Sequence, residues 1–328
     1  MKALMYTAPR RLEVQDVPKP IVGAGEVLLQ VLACGICGSD VHGYLGENGR
    51  RIPPMVMGHE FTAKVAETGS GCEALKVGDV VVVQPNVACF KCDFCNAGRE
   101  NLCPHKRVYG VFNFNGAMQE FLAVPERLCI KLPSGLDYRA GSLTESFAVS
   151  YSALKKAGDL SGKSILIIGA GTIGLLAMLA AKIQNPSQIA VCDLSDERLR
   201  LATEMGADVA EKPPFFDDKQ FDVTIEAVGI APTANLAVKV AKHGGTAVWI
   251  GNNQRMIEVN MQDIVTREIK VCGTYIYNFR EFGEALLLLE DLNLEQFLNK
   301  VIAVEEAADI FAQLAENADK YLKVIINF

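Results

Sequence analysis

The sequence predicts an α/β protein in two parts, an irregular β-rich domain and a doubly wound parallel sheet, and three observations carry that expectation. First, 328 residues suggest two domains at roughly 100 to 200 residues each. Second, between about residues 150 and 275 short apolar runs of strand length alternate with helical stretches near 196–205 and 231–242, the pattern of a parallel, doubly wound sheet. Third, up to about residue 148, strand-like pieces such as "EVLLQVLAC" and "DVVVVQP" stand between Gly and Pro turns without a dominant helical period. Composition agrees with a folded chain, since 50% of residues are hydrophobic and 22% charged. A net charge of −7 argues against a dedicated nucleic-acid binder, whose footprint is basic. The beginning, Met-Lys-Ala-Leu-Met-Tyr-Thr-Ala-Pro, lacks the apolar centre of a secretory signal, and no apolar run approaches the roughly 18 residues of a membrane helix. A cytoplasmic protein without a membrane partner is expected.

The second part opens with "SILII", residues 164–168, leading into "GAGTIG", Gly169 to Gly174, and an apolar segment to about Gln184. Strand, glycine turn and helix make a dinucleotide fingerprint: Gly169 forms the turn, Gly171 admits the pyrophosphate, and Gly174 allows close packing. The phosphates are expected at the helix N-terminus, against Thr172 and Ile173. A second strand, "QIAVCD", ends in Asp193, 19 residues beyond Gly174. A carboxylate there accepts from an adenosine ribose and repels a 2′-phosphate, so NAD is expected over NADP. Further strands are read at "ADV", "FDVTIEAVG", "GTAVWIG" and "EIKVCGT".

Four of the ten cysteines fall in "CFKCDFCNAGRENLC", as Cys89, Cys92, Cys95 and Cys103. In a reducing compartment clustered thiols stay free or bind metal. Two-residue gaps let neighbouring thiolates converge on one ion, and the longer gap returns the fourth to close a tetrahedron with no open valence. That predicts a structural zinc site, with an iron–sulfur cluster as the rival. Cys34, Cys72, Cys129, Cys192 and Cys272 carry no motif and are read as packing residues.

This lobe, together with "CGICGSDVHG" (Cys34 to Gly43), "GHE" (Gly58 to Glu60) and Glu145 in "LTESFAVSYSA", resembles the zinc-containing medium-chain dehydrogenases. The resemblance implies a GroES-like irregular β-barrel catalytic domain over 1–148, completed by about 276–328, and a Rossmann domain over 149–275. In that family the catalytic zinc takes a Cys from the first motif, the His of Gly-His-Glu and a Cys or Glu from the third. Here those positions are Cys37, His59 and Glu145, with Glu60 a direct ligand in some states. Three ligands leave a fourth place for water or substrate. The resemblance further places Ser39 at the substrate oxygen and His42 at the outer end of a proton relay, and lets Asp40 accept from His59; a solvated turn is the plainer reading of Asp40 and His42. Arg198 has two readings, a basic residue near the ribose or a solvent-facing helix charge. "YLKVIINF" resembles the strand that returns to the first domain.

Glu145 in place of Cys points to the polyol branch, near sorbitol, galactitol-phosphate and threonine dehydrogenases. Ser146, where Pro is usual, and Ala63, where Gly is usual, depart from it. The implied reaction is hydride transfer between NAD and a secondary alcohol of a polyol, sugar alcohol or sugar-alcohol phosphate. An amino-alcohol dehydrogenase of the threonine type is the alternative; a nonenzymatic NAD-sensing module would need a broken ligand set, and it is not broken. Tyr44, Glu47, Asn48, Phe112 and Asn278 are candidate pocket residues on loops, and Arg50 with Arg51 either meets a phosphate or is solvated. Relatives commonly form dimers or tetramers, so a homo-oligomer is expected.

Overall fold

The structure is a computed structural model that describes residues 1–47 and 49–328; Asn48 lies outside the described residues. The chain divides into two compact units, Met1–Glu145 with Asn278–Phe328, and Ser146–Tyr277.

The spine of the first unit is the strand Glu26–Ile36, almost wholly buried. An apolar run that long is covered on both faces, which its Val and Leu content suits. One edge pairs antiparallel with Glu60–Thr68, with register shifts at Leu28/Leu29 and Val31/Ala33. Such bulges bend a strand and raise its twist, so the sheet curls instead of lying flat. The other edge is shared: Glu26 to Gln30 pair with Phe121–Pro125, and Ala33 to Ile36 pair with Val324–Asn327. The chain's last strand therefore completes the sheet that its third strand began. Val80–Val83, Cys129–Lys131 and Val301–Ala303 extend it to seven strands. A smaller sheet joins Arg11–Asp16, Lys2–Ala8 and Met55–Val56. Leu4, Tyr6, Leu29, Val31, Phe61 and Phe311 belong to one apolar core between these layers.

Register in this sheet positions the site. Gly35 pairs with Glu60, and Ile36 with Val324. Cys37, His59, Glu60 and Lys323 consequently meet at one end of three adjacent strands, although they are far apart in sequence. Cys37 then serves as N-cap of the helix Gly38–Tyr44. Two candidate pocket residues are corrected here. Tyr44 is the last residue of that helix, 6% exposed, with its ring 5.6 Å from Phe311. Asn278 caps the helix Phe279–Leu289, accepting from Glu281 N while the Glu281 side chain reaches back to its own N–H, a reciprocal cap that occupies its side-chain oxygen.

In the second unit six parallel strands run in the order Val209–Glu211, Gln188–Cys192, Ser164–Ile168, Phe221–Glu226, Ala241–Trp249, Lys270–Gly273. That is the 3-2-1-4-5-6 order of a dinucleotide-binding sheet. One boundary differs from the sequence reading: the helix stops at Lys239 and the next strand already begins at Ala241. Ala241 pairs with Phe221, and the ladder resumes at Val223 with Thr246. The intervening residues bulge around Gly244, whose φ is +71°, so a polar Gly-rich stretch that reads as a helix end lies within a strand. Among the described residues no helix is long and apolar enough to cross a membrane.

Candidate metal centres and cofactor site

The ligand atoms of Cys37, His59 and Glu60 lie within 4.8 Å of one another. Glu145 is outside that mutual set, in the first turn of the helix Thr144–Ala157, 8% exposed; it still acts electrostatically on Cys37 and Lys323. Burial, then Glu60 and Asp40, push the Cys37 thiol up to about 12. Burial alone would lower the Lys323 ammonium, but Glu60 and Cys37 outweigh it and hold Lys323 above the usual lysine range. Lys323 Nζ donates to Glu60 Oε2 in a buried ion pair and to Ile36 O at 3.3 Å. A Cβ on Gly35 would stand 2.4 Å from Glu60 Oε2 and 3.3 Å from Lys323 Cε, so the pair needs glycine beside it.

A second buried ion pair lies on the other side of Cys37. Arg51 Nη2 donates to Asp40 Oδ1 at 2.7 Å, with side chains 3% and 0% exposed. Neither of the two sequence readings of Arg51 survives this, because a buried, paired guanidinium is neither solvated nor open to a phosphate; Arg50 is exposed. The same nitrogen donates to Ser39 Oγ at 2.9 Å, and Ser39 Oγ donates to Cys37 Sγ at 3.3 Å. Asp40 Oδ2 accepts from Cys37 N at 3.3 Å. The expected hydrogen bond from His59 to Asp40 is not formed: Nδ1 stands 3.6 Å from Oδ1 and is buried without a hydrogen-bond partner. Arg51 takes that carboxylate oxygen instead. His42 is half exposed and its Nδ1 lies 2.9 Å from Glu47 Oε2.

This donor set fits a divalent ion. A thiol, a buried imidazole and a carboxylate converge as soft and borderline zinc ligands do. Charge supports the same conclusion: with Cys37 as thiolate and Asp40, Glu60 and Glu145 ionised, four anions face two protein cations, Arg51 and Lys323. A doubly charged ion would balance that set, and uncompensated buried charge is costly.

The second cluster is Cys89, Cys92, Cys95 and Cys103, whose sulfurs also lie within 4.8 Å of one another. All ten cysteines are free thiols; Cys95 Sγ is 3.5 Å from Cys92 Sγ and 3.9 Å from Cys89 Sγ. The Lys91 N–H lowers the Cys89 thiol to about 6, whereas burial and its sulfur neighbours push Cys95 up to about 12. One ready thiolate at Cys89 beside a protonated Cys95 suits a tetrahedral ion that displaces the Cys95 proton. The two-residue strands Asn86–Val87 and Arg107–Val108 pair across the neck of this lobe, and Phe90 sits between the Arg127 guanidinium, 3.8 Å away, and the Phe279 ring at 5.5 Å.

In the second unit, Gly169 has φ +98° and a Cβ there would meet Val228 Cγ2 at 2.6 Å; a Cβ on Gly174 would strike Gly169 O at 1.7 Å. A Cβ on Gly171 would meet nothing within 4 Å, which leaves the open approach a pyrophosphate requires over the N-terminus of the helix Thr172–Lys182. Thr172 and Ile173 form that first turn, partly exposed. Asp193 Oδ2 accepts from Ala170 N at 2.6 Å and Oδ1 from Ser195 N at 2.9 Å, so the carboxylate stands against the glycine turn. Arg198 is 4% exposed, which removes its solvent-facing reading.

Residues 23–134 match the alcohol dehydrogenase GroES-like domain and residues 172–291 the zinc-binding dehydrogenase domain. Sorbitol dehydrogenase of Ovis aries is 32% identical over 94% of this chain and 92% of its own length. The chain belongs to the zinc-binding alcohol dehydrogenase family. Galactitol-1-phosphate dehydrogenase from Escherichia coli superposes with a TM-score of 0.92 at 27% identity, covering 100% of both chains. A candidate zinc-binding dehydrogenase from Sinorhizobium meliloti 1021, bound to NADP, gives a TM-score of 0.91 at 30% identity, over 100% of this chain and 99% of that one.

Three buried charged side chains beside these sites are missed or misread in the sequence. Lys323 is a single charge inside the otherwise apolar "YLKVIINF", and that isolation was a usable signal. Arg51 gave none, since an Arg pair on a Gly- and Pro-rich segment reads as solvated. Glu226, 1% exposed at the end of its strand, accepts from Val228 N (2.9 Å), Gly229 N (2.7 Å) and Thr233 Oγ1 (2.7 Å). It holds the turn that faces Gly169, and a carboxylate closing an apolar strand before Gly229 was its signal.

Proposed function

We propose that the chain is a zinc- and NAD-dependent dehydrogenase that interconverts a secondary alcohol of a polyol or sugar alcohol with the corresponding ketone. The observation that carries this is the convergence of Cys37, His59 and Glu60 within 4.8 Å beside a hydroxyl, Ser39, hydrogen-bonded to Cys37. Cys37, His59 and Glu60 would hold the ion, with Glu145 in the surrounding charge cluster; Cys89, Cys92, Cys95 and Cys103 would hold a structural one. When bound, zinc supplies Lewis-acid polarisation of the alcohol oxygen and the nicotinamide accepts the hydride, leaving one proton to remove. Ser39 would meet the substrate oxygen and take that proton. His42, half exposed and paired with Glu47, would deliver it to solvent. Gly169, Gly171, Thr172, Ile173 and Gly174 would seat the pyrophosphate, and Asp193 would accept from the ribose hydroxyls and disfavour a 2′-phosphate. Arg198, buried on the helix that starts after Asp193, would support the same end of the cofactor.

The polyol class comes from the relatives, one named for sorbitol and one for galactitol 1-phosphate. The free thiols of the lobe fit a reducing, cytoplasmic setting. The test is a panel of polyols, sugar-alcohol phosphates and amino alcohols, followed by NADH absorbance with and without zinc. Zinc-dependent turnover of polyols is expected. Full activity after zinc is stripped from the Cys37 set would overturn the reading, and turnover of amino alcohols alone would move the substrate class. Asp193→Gly should raise the NADP/NAD preference at least about tenfold, the loss of one charged ribose contact; an unchanged ratio removes Asp193 from that role.

A further inference from the structure

We propose that the first unit carries a second binding site, separate from the candidate metal centre, for a small uncharged lactam. The site is a cavity of about 320 Å³ lined in part from the strands Lys2–Ala8 and Phe121–Pro125. Its walls include Met1, Met5, Val17, Leu122 and the Tyr109–Phe114 ring stack, whose centroids are 4.4 Å apart. Among the described residues, none of the candidate metal ligands lines it and no charged side chain does. The Met1 α-ammonium is turned onto Val17 O at 2.9 Å. An apolar cavity that admits benzene measures about 150 Å³, so this one has room for two fused rings.

Two side-chain amides that also line the cavity give it a chemical preference. Gln119 is 4% exposed, and its Nε2 donates to Gly116 O at 2.8 Å. Asn115 Oδ1 accepts from Val56 N at 3.0 Å. A carbonyl can only accept and a backbone N–H can only donate, so the orientation of both amides is fixed. The halves left over are an acceptor, Gln119 Oε1, and a donor, Asn115 Nδ2, neither with a partner among the described residues. Both hang from one piece of paired backbone, because Gly116 N donates to Val56 O at 2.8 Å. Ala117 N and Met118 N continue that pairing onto Gly58 O and Met57 O, so the two groups are held before a ligand arrives. A lactam presents an N–H and a C=O on one edge of an apolar ring, the complement of such an acceptor and donor. In pockets of this kind a few placed polar groups set orientation and selectivity while apolar walls supply contact area.

The experiment titrates the zinc-loaded protein with 2-quinolinone and with N-methyl-2-quinolinone, whose donor is blocked, and follows both compounds by NMR. Wild type should bind 2-quinolinone with a Kd below about 1 mM, the range open to a ligand of this size. The N-methyl compound should bind about tenfold more weakly, the loss of one hydrogen bond to Gln119 Oε1. Asn115→Asp keeps an acceptor for Val56 N but turns the free donor into an acceptor, so it should weaken 2-quinolinone at least about tenfold. Gln119→Met should bind the two compounds alike, because the methyl group and the substitution remove the same contact. Ala123→Phe fills the cavity from its strand and should abolish binding with the melting temperature kept, whereas Cys37→Ser should leave Kd unchanged. The comparison of the two compounds in wild type needs no substitution, so it decides even where a variant does not fold. No binding by wild type at millimolar concentration, equal affinity for the two compounds, or an unchanged Kd in Ala123→Phe would overturn the proposal. So would binding lost in Cys37→Ser, which would put the lactam at the metal centre, or a changed sedimenting mass in Ala123→Phe, which would make this face a contact between copies of the chain.

Discussion

The lobe at Cys89–Cys103 and the centre at Cys37, His59 and Glu60 gather similar donor atoms by opposite means. In the lobe all four sulfurs come from fifteen residues, three of them only partly buried. Short turns bring them together, and apart from Phe90 little apolar burial holds them. In the centre the donors come from the ends of paired strands and are flanked by a lysine 263 residues from its partner Glu60. The sheet register would place them with or without an ion. The difference would separate what an ion does at each: the lobe would rely on its ion for order, whereas the centre, ordered by the core, would leave its ion free for chemistry.

The strongest way to break that comparison is to remove one ligand from each. Cys37→Ser should lower turnover by more than about 1000-fold, the loss of several kcal/mol of Lewis-acid stabilisation, while melting stays within about 4 °C of wild type. Cys92→Ser should do the converse, emptying the lobe of its metal and opening residues 89–103 to proteolysis while the other ion is retained. Metal content, melting and a timed protease digest check both. Equal loss of melting temperature in the two variants would erase the distinction.

A smaller effect sharpens it. The buried pair Lys323–Glu60 has no counterpart in the lobe among the described residues. Lys323→Met should destabilise the protein by about 3 to 5 kcal/mol, because it strands a buried carboxylate beside Cys37 and Glu145. Adding Glu60→Gln should recover part of that loss, with urea unfolding as the measure. No recovery would mean that Lys323 contributes by packing its methylenes and not by charge.

The same contrast explains what could be read in advance. The lobe was legible because its chemistry is local: four cysteines at metal spacing need no fold to be recognised. The glycine turn and Asp193 were legible for the same reason, as strand, turn and helix follow one another in the chain. Cys37 and His59 were found only through a resemblance, since their meeting depends on Gly35 pairing with Glu60, a register that no local pattern states. Lys323 and Arg51 went unread or misread because their partners lie 263 and 11 residues away and their burial is a tertiary fact. Glu60, and not Glu145, stands within 4.8 Å of the Cys37 and His59 ligand atoms because it begins the strand that pairs with Gly35, whereas Glu145 opens a helix. The helix boundary at Lys239 was misplaced because a bulge around Gly244 mimics a helix end.

Acid provides the finest test of the comparison, since the two sites enter neutral solution in different protonation states. Cys89, near 6, is a thiolate at pH 7 and offers the lobe a ready first ligand. Cys37, near 12, is a thiol at pH 7, so an ion must displace its proton to bind. The sign follows from proton release. Between pH 7 and 9 uptake at the centre should strengthen about tenfold per pH unit for that one proton, whereas the first capture step at the lobe should be flat, because Cys89 is already ionised above about pH 6. With cobalt(II) limiting at pH 7 the first absorbance change should come from the lobe. Rapid-mixing absorbance, with Cys37→Ser and Cys92→Ser each isolating one site, reads the two signals separately. A centre that captures metal as fast as the lobe at pH 7, with no pH slope, would mean that Arg51 and Lys323 already hold Cys37 as its thiolate, and the electrostatic difference between the two sites would fall with it.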